Sequence, residues 1–228
     1  MKIKYGSIVT DGSGKLGGHV YSKNTYGSYV RTKVTPTNPQ TSYQTLVRNY
    51  FTTLAQGWKG LTEDQRSAWI AAVGDFKSTD VFGDSINPTG ENLYISLNMN
   101  LLLISESIIS TPPAVGAVHG FTSFSVAADN SDASLTLTFA DVIPATDKIM
   151  VFATDGLSAG KSYAKNLLRK MDVLTTADLT GIDVGTEYVA KFGTFPAVGK
   201  KIFVMLRSVN LTTGQSNSGI MASCIVQA

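Results

Sequence analysis

The stretch Asp11-Gly-Ser-Gly-Lys15-Leu16 comes nearest in this chain to a phosphate cradle, because glycines beside a lysine let backbone N–H groups and an ammonium converge on an anion. The full spacing is not met. Val9 stands where the first glycine of such a loop belongs, and Leu16 stands where a Ser or Thr hydroxyl would hold magnesium, so the stretch reads as a flexible glycine loop. The two histidines, His19 and His119, have no Cys or carboxylate at zinc-ligand spacing. No Gly-x-Ser-x-Gly turn presents a nucleophile, and neither histidine has a local context that selects it as a base. Asp129, Asp132, Asp141, Asp147 and Asp155 fall near expected strand ends, where turn hydrogen bonds account for acids without acid–base catalysis or calcium. The single cysteine, Cys224, sits on an alternating apolar run and reads as a small buried hydrophobe with no internal disulfide to form. No catalytic, cofactor-binding or metal-ligating residue is assigned, and an enzyme is not predicted.

Other residues with a chemical character of their own lie near the start. Residues 1–50 hold seven Lys or Arg against one acid, Asp11, which leaves twelve basic and sixteen acidic residues in the rest of the chain. Glycines 6, 12, 14, 17 and 18 punctuate this basic segment. A hairpin is predicted with strands at 18–23 and 28–34, joined by a turn at Asn24-Thr-Tyr-Gly27. Simple alternation places Val20, Val30, Thr32 and Val34 on one face, and His19, Tyr21, Lys23, Tyr29, Arg31 and Lys33 on the other. That basic and aromatic face is the candidate assembly interface. It suits an acidic protein neighbour; a phosphate backbone with bases stacked on the tyrosines is the second possibility, and a solvated hairpin the plainest one.

The following elements must carry that face. Asn38 with Pro39 at the first helical position, or Thr41 with Gln44, can cap a helix whose Tyr43, Leu46, Val47, Tyr50, Phe51, Leu54 and Trp58 form one continuous stripe. Gly57 and Gly60 end it, and Thr62 with Gln65 forms a capping box for a second helix bearing Ala68, Trp69, Ala72, Val73 and Phe76. The short loop predicts an antiparallel helical hairpin with Trp58 and Trp69 in its core near the turn. A loop at 78–90 leads to a third helix near Glu91, whose stripe of Leu93, Leu97, Leu101 and Ile104 is interrupted by the amides of Asn98 and Asn100, read as exposed or locally satisfied. Thr111-Pro-Pro-Ala-Val-Gly116 reads as a linker.

Beyond it, seven short runs at 121–127, 134–139, 148–153, 167–174, 187–192, 201–208 and 219–226 read as strands of a β-sandwich. The absence of a cysteine pair makes the fibronectin type III-like pattern closer than the antibody one. The basic stretch Lys161, Lys165, Arg169 and Lys170 reads as solvated. The expected organisation is an α+β multi-domain chain: an extended basic arm or hairpin at 1–35, a helical domain at 36–110, a linker at 111–118 and an all-β sandwich of the immunoglobulin or fibronectin III-like kind at 119–228. At 228 residues, with 43% hydrophobic and 16% charged composition, the chain can bury two modest cores. Met1-Lys-Ile-Lys-Tyr-Gly6 lacks the apolar run of a signal peptide and no window approaches about 18 apolar residues, so no membrane partner is expected. Asn210-Leu-Thr212 reads as a turn and not as a glycosylation site.

The run Gly17-Gly18, Val20, Ser22, Gly27, Tyr29-Val30-Arg31, Pro36-Thr-Asn-Pro-Gln-Thr41, Gln44, Arg48, Phe51, Leu54, Trp58, Leu61-Thr62, Gln65-Arg66 and Ala68-Trp69 resembles a segment of tailed-phage and prophage virion structural proteins. It is a segment common among phages of Bacteroidetes, including crAss-like phages. The likeness continues through Gly90-Glu-Asn-Leu-Tyr94 and Asn98, so that it covers roughly the first 105 residues. It carries no catalytic residues over. The resemblance implies a capsid, head or head-to-tail (neck) component made in the bacterial host cytoplasm and located in the virion. It would act by contacts with other virion proteins and with copies of itself, without cofactor or small-molecule substrate. Nucleic acid is not the expected partner. Competing readings are a surface-exposed module binding glycan or a host protein through the β-domain, and a nucleic-acid-binding accessory protein.

Overall fold

Alternation in Ser134–Phe139, with Leu135, Leu137 and Phe139 buried between half-buried Ser134, Thr136 and Thr138, shows how the second half of the chain builds its core. A computed structural model describes residues 1–228 apart from Ile8, Thr25, Asp80, Val81, Ala140 and residues 176–180, with the side chain of Ser78 also outside the description. In chain order the described elements are β1 (Gly14–Leu16), β2 (His19–Asn24), β3 (Gly27–Thr32), α1 (Ser42–Gly60), α2 (Glu63–Ala72), β4 (Ser78–Thr79), β5 (Ser85–Ile86) and α3 (Gly90–Leu103). They continue as β6 (Phe124–Asp129), β7 (Ser134–Phe139), β8 (Asp147–Ala153), β9 (Arg169–Leu174), β10 (Ile182–Asp183), α4 (Gly185–Phe192), β11 (Lys201–Asn210) and β12 (Ile220–Ile225). The chain is α+β, with antiparallel pairing in each of its sheets. The turn at 24–27 and the loop at 78–90 each include residues outside the description.

In the second half, a three-stranded sheet of order β10-β7-β6 and a four-stranded sheet of order β12-β11-β8-β9 share one core. Leu135, Leu137 and Phe139 come from the first sheet; Ile149, Val151, Ala153, Ile202, Val204 and Leu206 come from the second. The run 187–192, predicted as a strand, is instead helix α4. Tyr188 and Phe192, four residues apart, meet on one helix face with ring centroids 4.6 Å apart. Buried Tyr188 donates its hydroxyl to Thr154 O at 2.9 Å, and Gly193 closes the helix at φ 90°. A strand would have turned Tyr188 and Phe192 to one side only with Ala190 between them and would have lost this stacked pair. Gly185 is required at the start, since a Cβ there would lie 2.1 Å from Ala133 O.

Thr41 is the cap of α1, accepting from Gln44 N at 3.3 Å, while Asn38 Oδ1 accepts from Arg48. At α2 the Thr62 and Gln65 box is complete. The predicted α1–α2 hairpin does not close: α3 packs against both helices and fills the space between them. The tryptophans therefore meet through Tyr94 of α3, with centroid separations of 5.6 Å from Trp58 and 5.4 Å from Trp69. Trp69 is fully buried and its Nε1 donates to Ser110 O at 2.9 Å.

Asn98 and Asn100 of α3 act as fasteners. Asn98 is fully buried; its Nδ2 donates to Tyr94 O and Ile109 O, and its Oδ1 accepts from Ile109 N at 2.7 Å. Asn100 donates to Gly214 O at 2.8 Å. Leu101 and Ile104 pack on Met150 and Val209, on the outer side of the four-stranded sheet. Lys148 donates to Ile104 O and pairs with Glu106, while Lys170, expected in solvent, donates to Leu103 O. Both cations thus lie on the carbonyl end of α3, where the helix dipole favours positive charge. Within 111–118, Ala114 O and Gly116 N are both held by the amide of Gln215.

Candidate assembly surface

The sheet formed by β1, β2 and β3 is built from short glycine-bounded strands. Positive φ at Gly14, Gly17 and Gly27 lets the chain reverse within a few residues. Asn24 pairs with Gly27, so an even-numbered residue faces an odd-numbered one throughout the hairpin. The consequence divides the six residues of the expected basic face. His19, Tyr21 and Lys23 share a face with Thr32, Val30 and Ser28; Arg31 and Tyr29 share the opposite face with Val20 and Ser22. Lys33 lies past the end of β3, with its backbone N–H donating to Gly18 O at 2.8 Å.

Strand β1 and the first residues of the chain extend both faces. Leu16 stands opposite His19 and Lys15 opposite Val20. On the other edge Met1 and Val30 exchange backbone hydrogen bonds, Ile3 N donates to Ser28 O, and Lys2 pairs with Tyr29. One side of the sheet therefore carries Lys2, Lys15, Arg31 and Tyr29. The other carries Met1, Ile3, Leu16, Tyr21 and Val30, with His19 and Lys23 among them. The arm is two-faced, one side basic and the other mainly apolar.

A shallow depression of about 550 Å³ opens against the arm, lined by Tyr5, Val9, Leu16 and Tyr21 with the glycine loop between them. Its walls are little covered: Leu16 is 70% exposed and Val9 51%. The Tyr5 hydroxyl donates to Gly12 O at 3.3 Å; burial pushes its pKa up, with the charge of Asp11 and the Tyr21 phenol adding to the rise. Asp11 lies 3.6 Å from the Lys23 ammonium across the same corner. Sequence reasoning missed Leu16, Val9 and Tyr5 as surface residues of interest. The signal lay in the turn, because strand ends three residues apart pair even with odd.

The same openness continues into α1. Its stripe reaches full burial only at Leu54, while Leu46 and Phe51 are exposed and Tyr43, Val47 and Tyr50 are partly covered. Lys191 of α4 stands 5.4 Å from the Tyr43 ring centroid, and burial raises the Tyr43 pKa. No described residue before Leu54 is buried. Comparison with protein-family models, curated proteins and solved structures found no match for this chain.

The residues first considered for chemistry are dispersed. His19 is on the arm, whereas His119 packs edge-on against Phe121 at 5.2 Å and donates its backbone N–H to Asp147. Buried Asp147 also accepts from Asn210 Nδ2, Asp141 accepts from Thr122, Asp155 from Gly156 N, and Asp129 from Ser131, whose hydroxyl and backbone hydrogen bonds lower the Asp129 pKa. Among the described residues no group of three or more His, Cys, Asp or Glu is placed to hold a metal ion. No helix among them is long and apolar enough to cross a membrane.

Proposed function

We propose that this chain is a structural protein of a tailed-phage virion, in the head or the head-to-tail region, and that it works through protein–protein contacts and not through catalysis. The observation that carries the reading is the state of its first 53 residues: strands and most of a helix are formed, yet no described side chain in them is buried. Ordering such a segment costs backbone entropy on the order of 1 kcal/mol per residue, and without a core of its own the offset must come from surfaces outside it. The apolar arm face and the leading half of the α1 stripe are surfaces of that kind.

We also read the two-sheet unit as fibronectin type III-like. Its support is the strand order, with β10-β7-β6 facing β12-β11-β8-β9, which corresponds to three strands E-B-A against four strands G-F-C-C′. Helix α4 then replaces the plain connection between the fifth and sixth strands. Such a unit gives the open segment a rigid base, because α3 ties it to the helical layer. The proposal predicts that mass spectrometry of purified particles finds this chain in many copies. Absence from particles that carry its gene would contradict it.

A further inference from the structure

We infer that the apolar face of the arm docks on the helical layer of a second copy of this chain, in the groove between the end of α1, α2 and the start of α3. The inference deepens the assembly reading by naming the partner, and it rests on that reading. The donor is the side of the arm sheet that carries Leu16, Tyr21 and Val30, continued by Val9 and Tyr5 around the depression. The receiver is a groove of about 450 Å³ lined by Trp58, Ile70, Val73 and Pro88, with Glu91 on its rim. Ile70 is 62% exposed although its side chain lies over Gly90 at the start of α3, so an apolar surface in each region is only partly covered.

Charge selects a second copy as the occupant. Residues 1–50 carry seven cations and one acid, while the remainder carries twelve cations and sixteen acids, so the donor end of one molecule complements the body of another. The local charges agree with this: Lys23 lies on the donor face beside Asp11, and Glu91 stands at the receiving groove, with Asp64 in the first turn of α2 next to the Glu63–Arg66 pair. Donor and receiver are different surfaces of the same molecule. The contact is therefore heterologous, and repeated copies form a ring or an open chain according to the angle between them. Lys15 and Arg31 lie on the opposite face of the sheet from the contact, and Lys33 lies beyond the strand.

The experiment uses the full chain and two variants at exposed positions, Leu16→Asp in the donor and Ile70→Asp in the receiver. Sedimentation of the wild type shows mass rising with concentration and association weakening with added salt. Each variant alone associates roughly tenfold or more weakly than the wild type. An equal mixture of the two forms a dimer, because the intact arm of Ile70→Asp meets the intact groove of Leu16→Asp. That complementation also shows that both variants are folded. A wild type that stays monomeric, a single variant that associates like the wild type, or a mixture that forms no dimer overturns the inference. These outcomes are separate from particle composition: a chain present in virions yet monomeric when pure refutes the docking and leaves the assembly reading in place.

Discussion

The arm and the body of this molecule use the same pattern of alternation to different ends. In β7, β8 and β11 the inward residues meet a second layer, and Leu135, Leu137, Ile149, Val151, Ile202 and Val204 reach complete or near-complete burial. In β2 and β3 the alternation is present, but neither face meets a second layer, and every described residue there stays half-buried or exposed. Helix α1 spans the boundary. Its last turns pack on α3 through Leu54 and Trp58, and its first turns show Leu46 and Phe51 to solvent. Secondary structure thus extends some fifty residues beyond the core that could stabilise it.

On that division, core truncation in the body dominates stability. Leu137→Ala removes a fully buried side chain shared by both sheets, and urea unfolding is expected to show a loss of ~2–5 kcal/mol. Asn98→Ala comes next. It leaves Ile109 N–H and two carbonyls without their amide partner inside the protein, at an expected cost of about 1–3 kcal/mol in the same assay. A negligible effect would mean that the chain after α3 is not fastened there, and the body would lose its link between layers.

A pH series sharpens the body side without mutation. Burial pushes the Cys224 thiol up to about 11 from its ordinary 9.0, so the folded state favours the neutral form. A raised acid pKa contributes stability that is fully present below about 9 and is lost as pH rises through about 11. Alkylation of Cys224 is accordingly slow near neutral pH and accelerates only in that alkaline window; rapid labelling at pH 8 would place Cys224 outside the packed region. The smallest effect belongs to the other side. Phe51→Ser, at a position 53% exposed, changes the stability of the dilute protein by no more than about 0.5 kcal/mol, measured by urea unfolding. A loss comparable to Leu137→Ala would show that α1 already has its partner.

How much of this could be read from residues alone depended on the range of the interaction. The Thr62 and Gln65 box, the alternation of β7 and the long stripe of α1 are local, and the elements formed where that chemistry placed them. The competition between Asn38 and Thr41 was decided by Arg48, ten residues away from Asn38, which takes the asparagine oxygen. Helix α4 was mistaken for a strand because Glu187-Tyr-Val-Ala-Lys-Phe192 is short and aromatic, and only packing of Tyr188 against Thr154 separates the two periods. Asn100, Lys148 and Lys170 find partners 114, 44 and 67 residues away, so their roles had no local mark, whereas Asn98 is satisfied nearby, by Tyr94 and Ile109. The split of the six arm residues between faces was legible in principle, since the span of the turn sets the parity, but alternation by number obscured it.

Amide hydrogen exchange, followed by mass spectrometry at protein concentrations below and above self-association, tests the division most directly. The account predicts that amides of β2 and β3 exchange far faster than those of β8 and β11 in dilute protein, and become protected on association while the body stays unchanged. Arm amides already as protected as β8 and β11 in the dilute monomer would contradict it.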